Sequence, residues 1–327
     1  IQSNHAQANG GGIFVDGGAM GTGAVHIEGN LIQDNLADGA SSGNCECPED
    51  TGGGITVFSS SANIINNVIR NNESHIGGGL HLASVLEFAV TVQENLIDSN
   101  IAVSGGGLHA THRVSLTLIR NTISGNLSET HGGGIRMFAG FVEGNVIADN
   151  HSASGGGIYA ISGSLVDNII SGNERTYGGG VFLQGGGPVT ITGCTIAENR
   201  AAWGFGGGGI AASAGPLSLS HSILAFNHGG AMDQDIHGVV TAVCTNIYGN
   251  EGGWADVLQG ATDGGDNFSL PPAFCSPLGS GDYGLAESSP CTAENSPCGQ
   301  LVGAQPVSCQ SVAVEAVTWS ELKGSYR

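Results

Sequence analysis

The side chains with types and spacing suited to chemistry in this 327-residue sequence form columns rather than compact motifs. Glycine triplets followed by an aliphatic residue begin at Gly10, Gly52, Gly77, Gly105, Gly132, Gly155, Gly178 and Gly207. One residue beyond each aliphatic position stand Phe14, Thr56, His81, His109, Arg136, Tyr159, Phe182 and Ala211. On an extended strand whose aliphatic residue faces in, this next residue faces out. His81, His109, Arg136, Tyr159 and Phe182 are therefore expected along one exposed stripe. Imidazole, guanidinium and aromatic groups there would stack on sugar rings and bond to hydroxyls. The plainer alternative is that exposed strand positions simply favour rings and long side chains.

A second group precedes the triplets: Ser74 and His75, Thr130 and His131, Thr176 and Tyr177, with Glu73, Glu129 and Glu174 nearby. A Glu–His neighbourhood supplies an acid and a base. Nothing in the spacing makes these carboxylates face one another, and a solvated turn is the default reading. Asp34, Asp98 and Asp149 occupy comparable loops but alternate with Ser, Gly or Glu in other copies. Arg70, Arg113, Arg120, Arg136, Arg175 and Arg200 have no compact Asp cluster beside them. No catalytic residue is assigned, and the balance leans against an enzyme. The insertion at 36–51 holds Cys45 and Cys47 with Asp38, Glu49 and Asp50, which is half of a soft-metal site. A disulfide is the stronger reading, so no metal is assigned there. Asp256, Asp263 and Asp266 lack EF-hand spacing, which leaves calcium as a candidate ion and no cofactor as the expectation. Sequons at Asn72, Asn126, Asn150 and Asn267 read as structural coincidence, since the first three fall on a column expected to be buried.

The elements that must position these columns come from a repeat. Between triplets recurs N-x-I-x-x-N, as NLIQDN at 30–35, NVIRNN at 67–72, NLIDSN at 95–100 and NTISGN at 121–126. It continues as NVIADN at 145–150, NIISGN at 168–173 and CTIAEN at 194–199, with looser copies at 222–227 and 245–250. Successive copies start 23 to 37 residues apart. Each unit adds a short alternating run such as VHI at 25–27 or LTL at 116–118. Three short period-2 strands per unit, too short to bury an apolar side alone, predict a parallel β-helix of nine to ten coils. Stacked coils pair backbones above and below and join the apolar positions into one core. Asn35, Asn72, Asn100, Asn126, Asn150, Asn173, Asn199, Asn227 and Asn250 are expected to form a ladder at one turn, each amide bonding its neighbours. Asn also tolerates left-handed backbone.

Composition narrows the function. Glycine accounts for 58 residues without a collagen period, and Lys plus Arg total 8 against a net charge of −20. Such a chain does not grip nucleic acid through phosphates, and no apolar run is long enough to span a bilayer. Cys275, Cys291, Cys298 and Cys309 cluster near the end and, with Cys45 and Cys47, are the disulfide candidates; Cys194 and Cys244 fit buried thiols. The expected organisation is repeats over 1–250, a capping segment over 251–309 and a tail over 310–327. Phe268, Phe274, Tyr283 and Leu285 are the candidate plugs for the open end. Ile1 opens in mid-repeat, so further coils or another subunit are expected to cover that face.

The paired signature GGG[ILV]…N-x-I-x-x-N resembles right-handed parallel β-helix repeat proteins, notably the repeats of bacterial polymorphic outer-membrane proteins and autotransporter-like adhesins. That resemblance implies a secreted or cell-surface module with an adhesive or structural role, whose partner is a glycan or a surface protein. A polysaccharide lyase or glycoside hydrolase on the same fold and a head-to-tail filament subunit are the alternatives.

Overall fold

The computed structural model describes residues 1–7, 10–17, 23–38, 52–202, 207–232, 240–251, 261–276, 279 and 281–309. Among these, 37 strands and no helix are present. Pairing is parallel throughout the shaft, with each strand bonded to its equivalents one coil before and after.

Each full coil visits four sheets, where the sequence pattern predicts three. In one such coil the chain runs through Glu73–Ile76, Leu80–Ala83, Phe88–Gln93 and Leu96–Asp98, contributing in turn to a first, second, third and fourth sheet. The unpredicted first sheet follows the last Asn of each motif. Its inward side chains are small, namely Ala37, Ser74, Ala102, Ser128 and Ser152, all buried. Their hydroxyls bond to nearby backbone, as when Ser152 Oγ donates to the Ser154 carbonyl at 2.9 Å.

The core is a set of stacked files. The fourth sheet sends Ile32, Ile69, Ile97, Ile123, Ile147, Ile170 and Ile196 inward, each fully buried. Each such burial contributes about 1.5–3 kcal/mol. The first and second sheets meet at the glycine triplets. Gly107 shows why: a Cβ there would lie 2.6 Å from the Gly134 carbonyl oxygen of the next coil and 3.1 Å from Asn126 Nδ2.

Two amide ladders bound the fourth sheet. In the first, each Nδ2 from Asn35 through Asn227 donates to the Oδ1 of the next ladder residue, ending at Asn250, at 2.8–3.1 Å. The same amides reach buried carbonyls, as Asn126 Nδ2 does Ile97 O at 2.9 Å. The second ladder runs through Asn30, Asn67, Asn95, Asn121, Asn145 and Asn168 at 2.9–3.1 Å. Cys194 takes the next place in it, accepting from the Asn168 backbone N–H at 3.4 Å. Left-handed backbone belongs to the residue before each ladder position rather than to the ladder asparagine. Asp34, Asn71, Ser99, Asp149 and Glu198 all have φ between 52° and 58°. That residue turns the chain, and this leaves the following asparagine extended and aimed along the stack.

Beyond residue 250 pairing continues through Ala261–Asp263 in the third sheet and an Asn246–Phe268 bridge in the fourth. The following segment then folds back along the outer face of the fourth sheet instead of simply plugging the end. Tyr283 packs on Ile169 and Ala197, and the Ala304 N–H donates to Thr195 Oγ1 at 3.0 Å. Disulfides join Cys275 to Cys309 and Cys298 to Cys244. Cys244 is therefore bonded rather than a buried thiol. Cys291 is free and buried, accepting from Asn246 Nδ2 at 3.1 Å. Cys45 and Cys47, Asp256 and the tail at 310–327 lie outside the described residues.

Candidate functional site

The column after the triplets stacks in register: His81 opposite His109, His109 opposite Arg136, Arg136 opposite Tyr159, and Tyr159 opposite Phe182. It is not an exposed stripe. His81 and Tyr159 are 3% and 4% accessible, His109 is buried, and Arg136 and Phe182 are half-buried. The cause is the angle between two sheets. At Gly105 and Gly132 the preceding strand end and the first glycine cover the outward side of the second sheet, whereas Phe14, in the first coil of the column, stays exposed. A Cβ on Gly105 would fall 2.7 Å from His109 Cβ. Arg136 Nη1 donates to Ser104 Oγ at the end of the first sheet, and the His131 ring meets Tyr159 edge-on with centroids 4.7 Å apart.

The result is a continuous file of rings and one cation. His81 stacks on His109 at 5.4 Å, the Arg136 guanidinium lies 5.8 Å from the Tyr159 ring centre, and Tyr159 stacks on Phe182 at 5.5 Å. Burial pushes His81 down to about 4. Burial, and then the charges of His81, Arg136 and His131, hold His109 well below the usual imidazole range. Burial followed by Arg136 lowers His131 as well. The imidazoles are thus neutral at pH 7 and Arg136 carries the charge. Among the described residues no carboxylate pairs with Arg136.

The roof opens over the middle of the file. A cleft of about 330 Å³ is floored by His109, Arg136 and Tyr159 and walled by Thr111, His112, Phe138 and Ile161. His112 and Phe138 are exposed and meet edge to face at 5.9 Å. His109 Nδ1 and Thr111 Oγ1 are buried without a hydrogen-bond partner. The wall residues follow the second-sheet strands, at a place where no repeat signature marks them. His81 and Phe182 belong to the file but not to the cleft lining.

The other candidates do not converge. Glu73, Glu129 and Glu174 are exposed on first-sheet strands rather than in turns. Asp263 Oδ1 accepts from Gly265 N–H at 2.9 Å and Asn267 Nδ2 at 2.7 Å, which closes a turn. A larger hollow of about 710 Å³ in the C-terminal segment is lined by Glu287, Thr292, Glu294 and Leu301, with no aromatic ring or cation among its lining.

No helix in the described residues is long and apolar enough to cross a membrane. No curated protein and no solved structure matches the chain. Residues 106–253, which carry the whole cleft, match the family described as the right handed beta helix region. In fold, therefore, the described residues form a parallel β-helix, whose central stretch matches the right-handed family.

Proposed function

We propose that this β-helix is a glycan-binding module, displayed outside the cell, whose ligand sits in the cleft over Arg136 and Tyr159. The observation that carries the reading is Arg136 itself, a half-buried guanidinium with no carboxylate partner among the described residues, set among aromatic and neutral imidazole rings. A sugar ring presents an apolar face to the exposed Phe138 ring and oxygen acceptors to the guanidinium fork. The two disulfides support an oxidising, extracellular setting.

The test is a glycan array followed by calorimetry on the best hit. Arg136→Ala and Phe138→Ala are each expected to weaken binding at least tenfold, or about 1.4 kcal/mol. Unchanged affinity in both variants, or an array without hits, overturns the reading.

A further inference from the structure

A second cluster of chemically capable side chains lies at the far end of the shaft, away from the cleft. The left-handed turn position between the third and fourth sheets is filled by Asn66, Glu94, Arg120 and Asp167 in four of the earlier coils. In two successive later coils it is His221 and Cys244, both at φ 49°. The backbone bond from His221 N–H to the Val243 carbonyl, 3.2 Å, sets these two turns one coil apart. The C-terminal segment then crosses them. Gly303 N–H donates to the His221 carbonyl at 2.8 Å, and Cys298 is delivered to Cys244. The His221 ring nitrogen and the two sulfurs all lie within 4.8 Å of one another.

Two sulfurs and an imidazole nitrogen at this spacing are a soft-metal donor set. We propose that Cys244, Cys298 and His221 form a zinc site that the disulfide closes and reduction opens. A thiol or phosphine reductant supplies two electrons to the Cys244–Cys298 bond. The S–S bond breaks and two thiols form: a thiol reductant gives up its two protons and leaves as its disulfide, whereas a phosphine takes oxygen from water, which supplies the two protons, and leaves as its oxide. Zinc then displaces both thiol protons to solvent and takes the neutral imidazole, with water completing the tetrahedron. Two thiolates cancel the charge of the ion. A neutral complex suits the surroundings, where Ile223, Phe268, Leu285 and Val302 make an apolar cluster with Cys244. The donors are preorganised because two sit on rigid turns of the shaft and the third on a segment docked by backbone bonds.

The experiment uses the full chain with Cys45→Ser, Cys47→Ser, Cys275→Ser and Cys309→Ser, so that Cys244–Cys298 is the disulfide that responds and neither the second disulfide nor the Cys45 and Cys47 pair competes for zinc. Phosphine-reduced and oxidised protein are dialysed against zinc alone. One zinc per reduced chain is expected, with sulfur and nitrogen neighbours in X-ray absorption and a zinc-dependent rise in melting temperature that the oxidised form lacks. His221→Ala lowers the affinity at least tenfold, whereas Cys291→Ser retains it. Absence of zinc from the reduced chain, or equal affinity in His221→Ala, overturns the proposal.

Discussion

Asn126 shows how much one side chain does in this shaft. Its Oδ1 accepts from both the N–H and Nδ2 of Asn100, and its Nδ2 donates to Ile97 O and Asn150 Oδ1. Replacing it with leucine orphans buried donors and acceptors in two neighbouring coils. Asn126→Leu is expected to cost about 3 kcal/mol or more, read from urea denaturation. His81 sets a pH dependence. Its folded value of about 4 lies below the unfolded 6.5, so the unfolded chain binds the extra proton between them. Stability is therefore full above pH 6.5 and falls as pH drops toward 4, by at most about 3 kcal/mol from this residue. His81→Gln is expected to flatten that slope; an unaltered slope would show that His81 does not set it. Cys194 puts a thiol where its ladder otherwise carries an amide or, further on, the hydroxyl of Ser222, and burial pushes that thiol up to about 12. It is expected to react with a thiol reagent only after unfolding, as timed labelling would show. The amide column was legible in the sequence because every copy keeps the same spacing. The left-handed residue was not, since Asp34, Ser99 and Glu198 share no residue type.

The elements tell the same story at the next scale. Glycine has two roles in these elements, close packing in the triplets and left-handed backbone at the turn before the second ladder. Gly107→Ala would drive a Cβ into the backbone of the next coil, for an expected loss of about 3 kcal/mol. Gly144, at φ 63°, meets nothing nearer than Arg120 Cγ at 3.4 Å. Gly144→Asn is expected to cost about 1 kcal/mol or less, since asparagine visits that backbone region. Paired denaturation curves of the two variants check the contrast. The first sheet escaped the pattern because its inward residues are Ala and Ser while some outward ones, such as Ile101 and Leu127, are apolar, so no regular alternation marks it. Burial of the His81–Phe182 file was equally hidden. Strand alternation gives which side of a sheet a residue takes, but not that a neighbouring strand end covers that side.

In the whole molecule, each coil touches chiefly its two neighbours, so stability is a sum of local terms along the shaft. The C-terminal segment breaks that rule by reaching back to Ile169 and Thr195. Tyr283 anchors it, with its hydroxyl donating to Glu198 Oε2 at 2.7 Å. Tyr283→Ala is expected to expose the segment to amide exchange and proteolysis while the coils around Ile123 keep their protection. Uniform loss of protection would show instead that segment and shaft unfold as one.

The two-residue turns carrying the amides never change length, yet the link from second to third sheet runs from two residues between Met137 and Gly140 to eight between Asp16 and Val25. His112, Phe138 and Ile161 all stand on such links. The walls of the cleft and the integrity of the shaft are thereby uncoupled: these segments can be edited in length and content while the amide-bearing spine beneath keeps its register.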